Sequence, residues 1–266
     1  MGNLKFKLLF ISLIPCFCFS KQEIAYDTIS PQLIDRNYVD RKIDSIMVLG
    51  IEEQAFPGAQ LLVALEGQII FHRAYGYHTY DSIQKVELNA IYDLASVTKI
   101  TGPLPALMKL YEQGKLDLDK PFSTYWKPWR NKKDKKDITL RELLAHQSGL
   151  TPYIVFLADV MKDGDLKSRF IKSDQRKTYS KQAYKNIYVK NRFKNKMYRK
   201  INRSPVGNNK KYLYSGLASL VYPQVIEDLS GQSYEAYLDI HFYTPLGCQT
   251  LMYNPCLLYT SDAADD

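Results

Sequence analysis

The stretch that most constrains the fold is Ala95–Lys99 (sequence ASVTK), in which a serine and a lysine stand three residues apart. Residues at this spacing share one face of an α-helix. If Ser96 begins a helix, its hydroxyl lies near backbone N–H groups and the positive end of the helix dipole, which favour a developing anion. The Lys99 ammonium then lies one turn away and can hydrogen-bond the hydroxyl. A serine needs such a neighbour to become a nucleophile.

The spacing alone does not separate a nucleophile from an ordinary helix N-cap, which is the simpler interpretation. Ser82 and Lys85 have the same spacing, but they lie in a polar stretch where we expect a solvated loop. Ser96 differs because apolar residues follow it at helical spacing as far as Gly114. These residues are Leu104, Leu107, Met108 and Tyr111. They predict one buried helix with Ser96 at its start.

The N-terminal residues have the pattern of a targeting segment. Two lysines precede a short apolar run that ends in small residues, which is typical of a secretory signal peptide. We therefore expect residues 1–20 to be a signal peptide, residues 21–37 to be a linker, and the protein to be exported. A lipoprotein anchor at Cys16 is less favoured because Pro15 precedes it.

The cysteines and histidines give little evidence for a disulfide, a metal site or a catalytic pair. Export would permit a disulfide between Cys248 and Cys256, but the sequence does not require one. None of the four histidines has metal-ligand spacing, so we expect no metal and no other cofactor. His146 and Ser148 are two residues apart and would face different sides of a short helix end. We do not expect them to act as a serine–histidine pair.

Positive charge is concentrated in residues 162–211. This stretch has seventeen Lys or Arg against three Asp, a net charge of +14, whereas the whole chain carries +8. The simplest interpretation is a solvated, lysine-rich insertion. In an exported protein we expect no nucleic-acid partner. The alternative is a contact with anionic polymers or lipid headgroups of the cell envelope.

The residues before the serine–lysine motif predict a helix and a hairpin. Apolar residues at helical spacing predict a helix over 39–51. Two β-rich runs, 59–65 and 68–75, are separated by the dipeptide Glu66-Gly67 and predict an antiparallel hairpin. A polar loop over 76–90 should follow.

The residues after the motif predict mainly helices. A Thr-x-x-Glu pattern at 139–142 forms a capping box for a short helix that Gly149 closes. An apolar run over 217–229 predicts a helix with a kink at Pro223. Residues 234–242 predict one more helix.

Four stretches in this order resemble the serine β-lactamase and penicillin-binding-protein superfamily, most nearly its class C-like, β-lactamase-related serine hydrolases. They are Phe56-Pro57-Gly58 with its hairpin, Leu94–Lys99, Leu143–Leu150, and Tyr214-Ser215 followed by Pro245-Leu246-Gly247. The resemblance assigns residues 38–256 to one domain, with 162–211 as a basic insertion. It implies an α+β fold in which an antiparallel sheet with flanking helices joins a mostly helical subdomain, here from residue 91 to about 230. The active-site cleft would lie between them, and the sheet would be incomplete in this chain.

The resemblance also implies roles for three residues. Ser96 resembles the nucleophile that accepts the acyl group, and its backbone N–H would form half of the oxyanion hole. Lys99 resembles the lysine that hydrogen-bonds the serine and keeps its proton mobile. Tyr214 aligns with the tyrosine of the Y-x-N motif, whose phenolic oxygen helps to move the proton. A phenol has a reference pKa of about 10, so it acts near neutrality only if a neighbour such as Lys99 lowers that value.

Two departures from the family pattern bear on activity. Gly216 stands where the resemblance implies an Asn or Asp side chain as the third residue of Y-x-N, and its absence removes a hydrogen-bonding group that would orient Lys99 and a substrate amide. The third motif, K-T-G or H-x-G, is not found, and residues 257–266 look like a non-native tail, as in a truncated member.

The implied function is an exported serine hydrolase that forms an acyl-enzyme on Ser96 with an amide or ester. The substrate would be a β-lactam, a D-Ala peptide or a small ester. The alternative is a catalytically impaired penicillin-binding or cell-wall-binding module of the same fold.

Overall fold

A computed structural model describes residues 35–208 and 210–253. The chain divides into two compact units between Ala90 and Ile91. The predicted signal peptide, most of the predicted linker, the tail 257–266 and the Cys256 partner of Cys248 lie outside the described residues. None of the helices in the described ranges is both long and apolar enough to cross a membrane.

The first unit begins with helix α1, Arg36–Glu52, and continues with strands β1, Gly58–Leu65, and β2, Gln68–Gly76. The two strands form the antiparallel hairpin that the sequence predicts. Both residues of the connecting dipeptide Glu66-Gly67 have positive φ, 51° and 79°, as in the type I′ turn that suits a two-residue hairpin. The helix starts inside the predicted linker because the Asp35 carboxylate caps it.

Helix α1 is joined to β2 by polar contacts. Asp40 and Asp44, one helical turn apart, both accept hydrogen bonds from the Arg73 guanidinium. The Tyr75 hydroxyl donates to Asp44 at 2.6 Å. Burial, followed by the hydrogen bond to Asp44, raises the pKa of Tyr75 to about 12. The hairpin and helix therefore form one unit in which Tyr75 is a neutral donor.

The second unit does not begin with one continuous helix. Ala95–Val97 form a 3-10 turn, helix α2 spans only Thr98–Thr101, and helix α3 spans Pro103–Glu112. The expected run from Ser96 to Gly114 is wrong because Gly102, with φ −116° and ψ −89°, interrupts it. The residue before a proline is disfavoured in the α conformation, and Pro103 can begin a new helix because its missing N–H is not needed there.

The faces of α3 also differ from the prediction. Leu107 is buried, but Leu104 is only half-buried, and Met108 and Tyr111 are exposed. The buried face of this helix is made by Pro103, Ala106, Leu107 and Leu110.

The other helices of the second unit are short. In chain order they are α4 Leu140–Leu144, α5 Leu157–Val160, α6 Phe193–Arg203, α7 Tyr222–Ser230 and α8 Tyr234–Leu238. Short 3-10 turns occur at Phe122–Thr124, Lys127–Trp129 and Ala218–Leu220, and a π-helical turn, Asp239–Tyr243, follows α8. The small strands, all antiparallel, are β3 Met161–Lys162, β4 Asp165–Leu166, β5 Ile171–Lys172, β6 Lys181–Tyr184 and β7 Ile187–Val189.

Two helix boundaries correct the sequence predictions. The capping box at Thr139 is present, but α4 ends at Leu144 and Gly149 lies in the turn beyond it with φ +75°. Pro223 does not kink a helix, because α7 begins at Tyr222 and the proline occupies its first turn. The chain before α7 is a separate 3-10 turn.

The core of the second unit surrounds Phe122, Trp129 and Tyr222. The Phe122 ring packs edge-on against Trp129 at 5.4 Å and against Tyr222 at 5.8 Å between ring centroids. Buried faces of α3, α7 and α8 complete this core. The unit therefore has a packed apolar centre that holds the short helices in place.

The basic stretch 162–211 is not simply a solvated insertion. Helix α6 is anchored in the core by Ile201, which is fully buried. The Asn202 side-chain oxygen accepts hydrogen bonds from the indole N–H groups of Trp126 at 2.8 Å and Trp129 at 2.9 Å. None of the residues in the small strands of this stretch is buried, and its apolar contacts with the core come from Tyr198, Ile201 and Val206.

Candidate active site

Ser96 lies in a strained turn at the beginning of the second unit. The Asp93 carboxylate accepts a hydrogen bond from the Ala95 N–H at 2.8 Å. Ala95 has φ +44°, in the left-handed region that residues with a Cβ rarely adopt. Such strain persists only where neighbouring contacts impose it, and it clusters at functional sites. The turn leaves Ser96 exposed at the surface.

Three side chains that the sequence predicts to act together meet at the Ser96 hydroxyl. The Lys99 ammonium donates to Ser96 Oγ at 2.9 Å. The Tyr214 hydroxyl donates to the same oxygen at 3.2 Å. The Lys99 Nζ also lies 5.7 Å from the centroid of the Tyr214 ring. One serine oxygen is therefore within reach of two groups that can exchange a proton with it.

The surroundings of Tyr214 favour its ionised form. Hydrogen bonding to Ser96 is the largest cause that lowers the pKa of Tyr214, followed by its interaction with the Lys99 ammonium. Desolvation opposes these effects but does not outweigh them. The phenolate is thus more accessible than in a free tyrosine, and it is the form that could accept a proton from Ser96.

Tyr214 is positioned by the segment that follows α4. The Leu213 N–H donates to the His146 carbonyl at 2.8 Å, and the Ser215 N–H donates to His146 Nδ1 at 3.3 Å. The Ser215 hydroxyl donates to the Thr151 carbonyl at 2.7 Å. The residues on both sides of Tyr214 are therefore fixed by hydrogen bonds, which directs its phenol toward Ser96.

His146, which the sequence does not predict to pair with Ser148, is a member of this site. Its ring lies 4.6 Å from that of Tyr214 and 5.9 Å from that of Tyr212, between ring centroids. Burial is the main cause that lowers the pKa of His146, and the Lys99 charge adds to it. A neutral imidazole can accept the Ser215 N–H at Nδ1. Its position in the AHQSGL stretch is the signal that could have suggested this role.

Gly216 lies beside Lys99, as its place in the motif implies. A Cβ built at Gly216 would be 3.6 Å from Lys99 Cε and 3.9 Å from Lys99 Nζ. These are ordinary van der Waals distances, so a side chain at this position would contact the lysine without displacing it. The missing side chain removes one contact that could orient the Lys99 ammonium.

Tyrosines from the C-terminal part of the unit hold the end of α2. The Tyr243 hydroxyl donates to the Thr101 carbonyl at 3.0 Å. The hydroxyls of Tyr234 and Tyr253 hydrogen-bond each other at 2.7 Å. A Cβ at Gly102 would lie 2.6 Å from the former and 2.4 Å from the latter. Glycine is required here because the phenols approach so closely, and this packing fixes the helix that carries Lys99.

A cavity of about 140 Å³ lies behind Lys99. Its walls include Leu104, Leu143, His146 and Ser219. Part of the Lys99 side chain therefore extends along an apolar wall while its ammonium reaches the serine, as is common for lysine side chains. The cavity holds little more than a few water molecules.

The other candidate motifs do not form comparable sites. Ser82 has φ +59° in a loop, as expected for the second serine–lysine spacing. The Ser148 side chain is buried and its oxygen accepts from the Leu150 N–H at 3.4 Å. His146 is engaged with Ser215 and Tyr214 instead. The structure thus gives Ser148 a structural contact and places the histidine beside the tyrosine.

A family model for Beta-lactamase matches residues 39–256. The chain belongs to the β-lactamase family. The match begins one residue after the start of the predicted domain and ends at the same residue. The α+β, β-lactamase/transpeptidase-like fold expected from the sequence is confirmed by the solved structures that resemble it.

Two curated relatives are similar over most of this β-lactamase-family chain. The N-acetylmuramyl-L-alanine amidase of Bacillus subtilis (strain 168) is 29% identical over 229 residues, which cover 81% of this chain and 46% of the relative. A putative D-alanyl-D-alanine carboxypeptidase of Escherichia coli O157:H7 is 26% identical over 235 residues, covering 83% and 48%. The chain therefore spans about half the length of these relatives.

A solved structure supports the fold. The octameric penicillin-binding protein homologue from Pyrococcus abyssi superposes with a TM-score of 0.59 at 24% identity, covering 78% of this chain and 43% of that one. At this identity the likeness concerns the fold alone.

Proposed function

We propose that this protein is an exported serine hydrolase that forms an acyl-enzyme on Ser96 with an amide or ester substrate. The observation that carries the proposal is the pair of hydrogen bonds to Ser96 Oγ, from Lys99 at 2.9 Å and from Tyr214 at 3.2 Å. A serine so placed has two groups that can take or relay its proton. The N-terminal pattern supports export.

The chemistry follows from this geometry. Ser96 Oγ attacks the substrate carbonyl carbon while its proton passes to the Tyr214 phenolate or to an unprotonated Lys99. The tetrahedral intermediate then loses the amine or alcohol, which receives that proton, and the acyl group remains as an ester on Ser96. Water attacks the ester, gives its proton to the same base, and the acid is released with Ser96 restored.

The Ser96 N–H is proposed as one donor to the oxyanion. Because α2 has only four residues, no long helix dipole helps to stabilise the oxyanion. The stabilisation of the oxyanion must come from the backbone N–H groups of the strained turn. The family's third motif, which would supply the second donor, is not found in this sequence.

The substrate class is proposed from the relatives. Their names describe an amidase and a carboxypeptidase that acts on D-alanyl-D-alanine. We therefore favour D-Ala peptides of peptidoglycan type, with β-lactams and small esters as related acyl donors. No cofactor enters any step.

A covalent probe tests this proposal. The full chain is incubated with a fluorophosphonate or a fluorescent penicillin, and the adduct is located by mass spectrometry. We expect the adduct on Ser96, and its loss in Ser96→Ala. Ser82→Ala is the matched control because Ser82 belongs to the other serine–lysine spacing, and it should label normally. A folded sample without an adduct on Ser96 would reject the proposal.

The second candidate is a binding module that retains the fold but turns over poorly. The observation that favours it is Gly216, because a side chain at this position would place its Cβ 3.6 Å from Lys99 Cε and could orient the ammonium, and glycine has none. Such a module would bind a penicillin without releasing product. Burst kinetics separate the hydrolase from the binding module. A hydrolase continues to release product after one equivalent per protein has formed, and a binding module does not.

A further inference from the structure

A second and larger cavity lies on the basic stretch. It has a volume of about 910 Å³ and is lined by four arginines and three lysines together with Phe170 and Phe193. The arginines are Arg169, Arg192, Arg199 and Arg203. We call it the basic cleft. It uses none of the three residues placed at the Ser96 oxygen.

Most of this positive charge has no counter-charge among the residues that the structure describes. Asp159 pairs with Lys196 at 3.3 Å and with Lys200 at 2.6 Å. Over the described ranges, the other five cationic side chains of the cleft have no carboxylate within ion-pair distance. Clustered like charges repel each other and destabilise the folded chain. An anionic ligand would reduce this electrostatic repulsion.

The cationic side chains stand on a fixed support. Helix α6, which carries most of them, is anchored by the hydrogen bonds from two indoles to Asn202. Within the lining, the Phe170 and Phe193 rings meet edge-on at 5.7 Å between centroids. The Lys196 ammonium lies 4.6 Å from the Phe170 centroid, a distance that allows a cation–π interaction. The charges therefore form a cleft of defined shape and not a flexible basic tail.

We infer that the basic cleft binds a linear polyanion whose repeated groups are phosphates or carboxylates. The planar guanidinium of arginine matches both kinds of oxyanion with paired hydrogen bonds. The volume lies in the upper part of the range of ligand pockets, about 300–1,000 Å³, which is far more than one small anion needs. A ligand with several charged groups in succession fits both the size and the number of cations.

Two labelled polymers serve as probes, inorganic polyphosphate and poly-L-glutamate, with binding to the full chain followed by fluorescence anisotropy. The test variant is Arg192→Gln combined with Arg199→Gln, at two exposed positions in the cleft. The matched control is Lys181→Gln combined with Lys185→Gln, which removes the same charge from exposed positions of the basic stretch outside the cleft.

We expect at least one polymer to bind at about 0.15 M salt, with affinity that falls as salt rises. The cleft variant should weaken binding about tenfold and lower the slope of log affinity against log salt by about two, whereas the control changes affinity less than about twofold. Binding of one polymer alone identifies its anionic group. Equal losses in both variants, or no binding of either polymer, would overturn the inference. None of these results depends on the reactivity of Ser96.

Discussion

The imidazole of His146 packs against the phenol of Tyr214 with 4.6 Å between ring centroids, and its Nδ1 accepts the N–H of the next residue, Ser215. This relationship connects the turn after α4 with the segment that supplies the tyrosine. The position of the phenol relative to Ser96 therefore depends on a histidine that does not itself contact the serine in the described structure.

The first prediction concerns this histidine. We expect His146→Ala to slow acylation of Ser96 about tenfold because Tyr214 loses its ring contact and the Ser215 N–H loses its acceptor at Nδ1. His146→Asn should recover part of the rate, since its amide oxygen can accept the Ser215 N–H and asparagine tolerates the local φ of +54°. The rate of probe labelling measures both. Identical rates for the two variants would show that the hydrogen bond does not position Tyr214.

A second prediction concerns the proton acceptor. Tyr214→Phe should lower the acylation rate by about one hundredfold, within the usual range for general acid–base groups. Because the pKa of Tyr214 is lowered, the phenolate is present at a lower pH than for a free tyrosine. The wild-type rate should therefore rise with pH up to that lowered pKa, and the variant should lack this rise.

Tyr212→Phe is the control for this measurement. The Tyr212 ring packs on that of His146 at 5.9 Å between centroids, and the residue is exposed. Loss of its hydroxyl should therefore leave the pH profile unchanged. An unchanged profile in Tyr214→Phe would assign the proton transfer to Lys99 instead.

A third prediction addresses Gly216. Gly216→Asn should raise hydrolysis severalfold because the new amide can hydrogen-bond Lys99, beside which its Cβ would lie at a normal contact distance. Gly216→Ala places the same Cβ without the amide and should have little effect. Steady-state turnover of a chromogenic β-lactam or ester compares the two. If asparagine and alanine behave alike, the amide has no role in orienting the lysine.

A fourth prediction tests the anchor of α6. Asn202→Leu leaves the indole N–H groups of Trp126 and Trp129 without their acceptor. We expect the free energy of unfolding to fall by about 1–3 kcal/mol for each buried donor left unpaired. Asn195→Leu, at an exposed position on the same helix, is the control. Urea denaturation measures both, and equal stabilities would contradict the anchoring role.

Local features were predictable from the sequence. The hairpin depends on the Glu66-Gly67 turn, and the capping box depends on side chains three residues apart at Thr139 and Glu142. The contact between Ser96 and Lys99 is also local, because the turn brings residues three apart together even though the long helix is absent. Short-range geometry suffices for such features.

Other features were misjudged because they depend on distant residues. The helix break at Gly102 is signalled by Pro103, but the close approach of Tyr234 and Tyr253 that makes glycine necessary is tertiary. Likewise, nothing local shows that a helix within a highly charged stretch carries Asn202 to two indoles of the core.

The sequence by itself determined the serine–lysine pair, the hairpin and, through its ordered motifs, the family. Only the tertiary structure decided how Tyr214 reaches that pair and how His146 supports the tyrosine, since hydrogen bonds and ring packing between the 146–151 and 213–215 segments set their positions. It also decided that four of the five arginines of the basic stretch surround a cleft. Side chains that are far apart in the chain can meet only when the folded core holds their segments together. No local sequence pattern specifies the distances between such side chains.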